Sequence, residues 1–263
     1  MRKYWVIYKA NLMSNLQYIT NIVANSIGYF MHVFIFIQVW NYVYNDTSNL
    51  IHGYNKSQMI WYVIITEIIC CCVAGRSLVR EICNEVRSGN VAYNINKPYS
   101  YIGYLLFNNL GKSTIRVVVL AFIGFSLGLL YLQTIPEITI IKGLIVLLAC
   151  ILAITINLLF LIFIGLLAFI MEDSNPLYWL YSKMILILGT LLPIEFFPEF
   201  LQPIITFSPI YAISYGPAKL FIEFDYNMAI MTILSQIAYV LISLGLCKLV
   251  YMKGVKKLNV NGG

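Results

Sequence analysis

Six long apolar stretches fill most of this 263-residue chain, near residues 22–44, 58–75, 104–132, 140–171, 177–194 and 228–250. About 20 apolar residues of helix cross the hydrocarbon core of a bilayer, and a helix satisfies its own backbone there, so stretches of this length point to spanning helices. Only 11% of the residues are charged and 60% are hydrophobic, whereas about a quarter of an ordinary soluble domain is charged. The expected fold class is an all-α integral membrane protein with six transmembrane helices. Six spans leave no room for a separate soluble domain, so residues 1–263 read as one transmembrane domain. The first stretch follows an arm of residues 1–20 and is neither placed nor built like a cleavable signal peptide, so it is expected to remain as a span.

Lys and Arg resist translocation, and their distribution sets the expected orientation. With the N-terminus inside, Arg2, Lys3, Lys9, Arg76, Arg80, Arg87, Lys97, Lys112, Arg116, Lys183, Lys248, Lys253, Lys256 and Lys257 fall on the cytoplasmic side, and only Lys56, Lys142 and Lys219 fall outside. Both termini are therefore expected in the cytoplasm. The net charge of +6 follows from this topology and calls for no nucleic-acid partner.

Two segments outside the spans carry a helical pattern. In the arm, Trp5, Tyr8, Leu12, Leu16 and Ile19 recur at intervals of three and four, as in an interfacial helix with one apolar stripe against membrane lipid; the alternative is a solvated extension of the first span. In the loop 76–98, Leu78, Ile82 and Val86 repeat every four residues among Arg76, Arg80, Glu81, Glu85 and Arg87, with Gly89 as a stop and Pro98 as a turn. Such a helix either inserts into a groove of a soluble partner or anchors its loop at the headgroups.

Between the last two stretches, Pro193, Pro198, Pro203, Pro209 and Pro217 are interspersed with Phe196, Phe197, Phe200, Phe207 and Tyr211. No straight helix tolerates that density, because each interior proline removes a hydrogen bond and clashes with the preceding turn. The segment either dips into the bilayer beside a cavity or lies as an aromatic loop at the headgroups. Glu67 is the carboxylate placed well inside a span, where a charge is costly unless paired, protonated or hydrated; it lines a pathway or contacts a neighbouring helix. Asn157 and Gln236 suggest interhelical hydrogen bonds, and His32 a helix contact.

Resident chemistry is not indicated. Cys70, Cys71 and Cys72 are consecutive and Cys83, Cys150 and Cys247 lack aqueous C-x-x-C spacing, so packing is the simpler role than disulfide or zinc. Gly111-Lys112-Ser113 imitates the end of a phosphate-binding loop, but the earlier glycine is replaced by Leu106. Glu172 and Asp173 precede Asn175-Pro176 and suit helix capping. A membrane enzyme would gather paired acids or a nucleophile with its base. That class and a channel or immunity protein without an ATPase partner are the alternatives.

The run EVRSGNVAYNINKPYSYIGYLL, residues 85–106, and LPIEFFPEFLQPIITFSPIYAISYGPAKLF, residues 192–221, resemble the type-2 permease family of ATP-binding-cassette (ABC) exporters, in a bacterial six-span branch. The resemblance covers essentially the whole chain. It implies that Arg76 to Asn90 is a coupling helix, with Arg80, Glu81, Glu85 and Arg87 as coupling residues toward cytoplasmic ABC ATPase subunits. Residues 3–20 would be the connecting helix beside that contact, and 193–217 short re-entrant helices on the extracellular side. Glu67, Phe196, Phe197 and Phe200 become candidates for the pathway or its gate. ATP and Mg would be bound by the partner ATPase, with no cofactor, metal or catalytic residue in this chain. A second permease subunit, identical or related, would complete a dimer in the bacterial plasma membrane. A pathway between helices rich in Phe, Tyr, Ile and Leu suits amphipathic cargo such as a drug, antimicrobial peptide or lipid-like molecule.

Overall fold

The structure is a computed structural model that describes residues 2–44, 50–91, 93, 97–136, 139–171 and 173–261, with side chains to residue 256. Among these residues the fold is helical, and five stretches are long and apolar enough to cross a membrane: Ile19–Val43, Lys56–Arg87, Tyr101–Leu132, Ile140–Met171 and Tyr226–Lys256. All five coincide with expected spans. The second includes a break and the amphipathic helix that follows it.

Helix α4 (Lys56–Cys71) forms the centre. Asn55 starts it with a capping box: its Oδ1 accepts from Gln58 N at 2.8 Å, and Gln58 Oε1 accepts from Asn55 N at 2.9 Å. Every residue from Met59 to Ile69 is buried, because α3 (Ile27–Val43), α6 (Tyr101–Leu132), α11 (Gly216–Ile222) and the broken segment 186–215 surround it. The second core helix, α7 (Ile140–Leu166), is followed by a short α8 (Ala168–Met171) and packs most closely on α12 (Tyr226–Asn261). Gln236 joins this pair, donating through Nε2 to the carbonyls of Ala149 and Ala212 at 2.9 Å each. Asn157 accepts from Tyr181 Oη at 2.9 Å. Both amides thus bridge helices, where hydrogen bonds supplement packing that lipid does not drive.

The N-terminal arm is helical, and of the expected stripe Tyr8 and Leu12 pack within the chain. Helix α1 (Arg2–Gln17) continues through α2 (Ile19–Asn25) into α3, and α1 lies along the first half of α6. Tyr4, Ile7, Tyr8, Asn11, Leu12 and Asn15 are its half-buried positions, whereas Trp5, Leu16 and Ile19 are exposed. Steric fit explains the choice: a Cβ at Gly111 would lie 2.6 Å from the Tyr8 carbonyl oxygen, and one at Gly103 would lie 2.8 Å from the Tyr4 ring. Gly111 therefore serves close helix packing, in the middle of α6.

The stretch expected as a span at 177–194 is shorter than the other five. Helix α9 (Asn175–Ile185) has 11 residues and passes into a π-helical turn of six, Leu186–Leu191, before Pro193. At Gly189 no side chain fits, since Ser214 Oγ lies 2.1 Å from the position of a Cβ. Tyr62 Oη donates to the Gly189 carbonyl at 2.7 Å, satisfying the break from the side of α4. Between Pro193 and α12 the chain forms only short pieces: a 3₁₀ turn Ile194–Phe196, α10 (Gln202–Thr206), a π-helical turn Tyr211–Tyr215, and α11.

Candidate functional site

Cys72 to Ala74 turn the chain out of α4 into α5 (Gly75–Arg87), which matches the expected amphipathic helix. Its stop is also as expected: Gly89 adopts φ +71°, with Ser88 N donating to Asn84 O at 2.9 Å. The partner of its apolar side differs from the expectation. Leu78, Val79, Ile82, Cys83 and Val86 are all buried, seated on α7 and flanked by α8 and α9. Gly165 of α7 permits this contact, because a Cβ there would lie 2.7 Å from Ile82 Cδ1. The apolar stripe is therefore consumed within the chain. What faces outward is the polar side, a groove of about 900 Å³ bordered by Arg76, Arg80, Glu81, Asn84, Glu85 and Ser88.

The four residues expected to contact a partner occupy different settings on this helix. Arg80 is exposed and Glu81 half-buried at the groove. Glu85 accepts a 2.5 Å hydrogen bond from Tyr101 Oη, which ties α5 to the start of α6. Arg87 lies 3.4 Å from Asp173. Asp173 also accepts from Asn175 N at 3.0 Å and from Asn175 Nδ2 at 2.6 Å. Those bonds, with Arg87 adding to them, hold the Asp173 carboxyl below the usual carboxylate range. Asp173 thus shapes the turn into α9; Glu172 lies outside the described residues.

Glu67 is 2% exposed and is not isolated. Cys71 Sγ donates to its Oε2 at 3.0 Å, and His32 Nδ1 stands 3.9 Å from its Oε1. The expected helix contact of His32 is thereby specified as a contact with Glu67, across the α3–α4 seam. All six cysteines are free thiols. Among the described residues no cluster of three or more His, Cys, Asp or Glu could hold a metal ion.

The proline-rich segment folds over the N-terminal end of α4. Ile51 and Tyr54 exchange two 3.0 Å backbone bonds across a tight turn, with positive φ at His52 and Gly53. Phe196 is half-buried among Trp40, His52 and Tyr54, with ring centroids 4.8–6.1 Å apart. Phe197 is half-buried and Phe200 is 71% exposed. The three phenylalanines therefore do not form one plug. Glu195, which no sequence motif marks, and Lys219, expected only as an outside cation, organise this end: Glu195 Oε1 accepts from Tyr215 Oη at 2.6 Å, and Lys219 Nζ lies 2.7 Å from Glu223, 4.0 Å from Glu195 and over the Tyr54 ring. A carboxylate flanked by Pro193 and Pro198 was the available signal.

Comparison with curated proteins gives no match. A family model described as "ABC-2 family transporter protein" matches residues 28–262, which takes in every element from α3 to the end of α12, the amphipathic α5 and the proline-rich segment included. The chain belongs to the ABC-2 transporter family.

Proposed function

We propose that this chain is the permease subunit of an ATP-driven exporter, a non-catalytic membrane subunit coupled to separate cytoplasmic ATPase subunits. The observation that carries this reading is the division of labour on α5. Its apolar side is fixed to α7, so the helix moves with the membrane core, while its polar side is an open groove suited to an aqueous partner. A helix built this way transmits displacement in both directions. Arg80 and Glu81 are the residues offered to the ATPase, whereas Glu85 and Arg87 also bind within the chain and serve to hold the helix in place.

In this reading α9 with its π-helical continuation is the fifth of six crossings, and 193–217 is a re-entrant cover on the opposite side from α5. The break at Leu186–Leu191 supports that arrangement, because irregular backbone at membrane depth persists only where protein satisfies it, as Tyr62 does here. Both termini lie in the cytoplasm, in accord with the Lys and Arg distribution. The exposed apolar sides of α3, α6 and α12 are available to lipid and to a second permease subunit. Closure of the ATPase dimer on ATP and Mg would shift α5, and through α7 open the pathway outward to drug, peptide or lipid-like cargo. Glu67 with His32, and Phe196 at the outer end, are its candidate lining.

The test is a mild-detergent purification of the tagged chain from its native membrane, with identification of co-purifying proteins and an ATPase assay. The reading predicts a Walker-motif ATPase that is retained by the wild type and released by Glu81→Lys. Purification of a folded chain with no ATPase contradicts it.

A further inference from the structure

Beside the seam of α2 and α3 with α4 and α6 there is a polar cavity of about 490 Å³. Arg116 reaches it from midway along α6, together with Asn25, Ser26 and Tyr29 on one side and Leu120 on the other. Arg116 is half-buried and has no hydrogen bond or ion pair to another described residue. It lies near Cys72, where α4 ends, which sets the cavity toward the α5 end of the helices. No carboxylate lines the cavity. Glu67 stands behind Cys71, and its two oxygens face His32 and the Cys71 thiol. The Tyr29 hydroxyl, buried over Gly124, likewise has no partner among the described residues. Exposed Ile19, Val23 and Ile27 on the neighbouring helices offer an apolar surface to an acyl chain.

An arginine carried into a membrane helix at this depth is costly without an anion, and its planar fork suits phosphate. We infer that the cavity holds the phosphate headgroup of an anionic phospholipid from the leaflet on the α5 side, bound by Arg116 with the second amide hydrogen of Asn25 as a neutral donor. The inference needs the membrane setting alone, so it stands or falls separately from the permease reading.

The test uses the full chain as wild type, Arg116→Gln and Asn25→Glu. Each is reconstituted into vesicles of equal phosphatidylglycerol and phosphatidylcholine and re-extracted in mild detergent, and the retained lipid is quantified by mass spectrometry. Asn25 is exposed, so its replacement places a negative charge at the cavity without disturbing the core, and this variant stands in if Arg116→Gln fails to fold. Wild type should retain phosphatidylglycerol in preference, and each folded variant should lose that preference by about tenfold, the scale of one charge-assisted hydrogen bond. Excess inorganic phosphate should leave the retained lipid in place. Lipid retained in the vesicle ratio by wild type, an undiminished preference in either folded variant, or displacement by inorganic phosphate would overturn the inference.

Discussion

Replacing Ile82 by alanine tests whether α5 is held to the membrane core by its apolar side. Ile82 is fully buried against α7, close enough to Gly165 that no other side chain fits there. The flanking residues Arg80, Glu81 and Arg87 keep α5 in contact with water, so removing apolar surface there carries its usual aqueous magnitude. An Ile→Ala change at a buried site costs about 2–5 kcal/mol, the transfer loss plus the cavity left behind. If α5 opens locally, the smaller figure corresponds to about a 30-fold rise in its opening constant at 1.4 kcal/mol per decade. Hydrogen exchange of the chain in nanodiscs should show that acceleration in the peptides covering Gly75–Arg87, with α12 unchanged. Glu81→Ala, at the groove, should alter α5 exchange by less than threefold, since surface changes remain within about 0.5 kcal/mol. Equal exchange in wild type and Ile82→Ala, or equal acceleration by both substitutions, would refute the assignment of the two sides.

Tyr62→Phe removes the hydroxyl that bonds the Gly189 carbonyl and leaves a buried acceptor unmatched, at about 1–3 kcal/mol; thermal denaturation in nanodiscs should shift downward, and an unmoved midpoint means the break is held by something else. Gly111→Ala would ordinarily favour a helix by about 0.5–1 kcal/mol, but its Cβ meets the Tyr8 carbonyl. It should therefore raise exchange throughout α1, and protection equal to wild type contradicts the close packing of α1 on α6. The low carboxyl pKa of Asp173 makes its contribution complete at neutral pH and lost as pH falls through the folded-state value. The stability advantage of wild type over Asp173→Asn should accordingly shrink to nothing on acidification below the ordinary carboxylate range, and an advantage that persists in acid would show that charge is not its source.

The sequence made some elements legible because their signals are local. A bilayer demands length and apolarity from one continuous segment, so the five longest spans could be read from hydropathy alone. Leu78, Ile82 and Val86 stand out at helical spacing against charged neighbours, and Gly89 marks the stop. What covers that stripe was not legible, because it depends on Gly165, about 80 residues away in sequence and meaningful only once the helices are packed. The seat of the arm on α6 was not legible for a related reason. In a lipid setting both of its sides carry large apolar residues, so periodicity does not tell Trp5, which is exposed, from Tyr8, which meets α6; the glycines of α6 decide. Pro193 announced a break, yet the helix already loosens at Leu186, through the approach of Ser214 to Gly189. Glu67 could be singled out from its position, but His32 as its neighbour could not.

In the proposed function the polar side of α5 is where an ATPase engages this permease. A photo-crosslinking amino acid placed at Arg80, in cells bearing the native membrane, tests it most directly, with Val79 and Lys142 as the buried and opposite-end controls. Arg80 should give a crosslinked product containing an ATPase subunit, and Val79 and Lys142 none. A folded chain that gives no ATPase product from Arg80, or gives it equally from Lys142, would contradict the account.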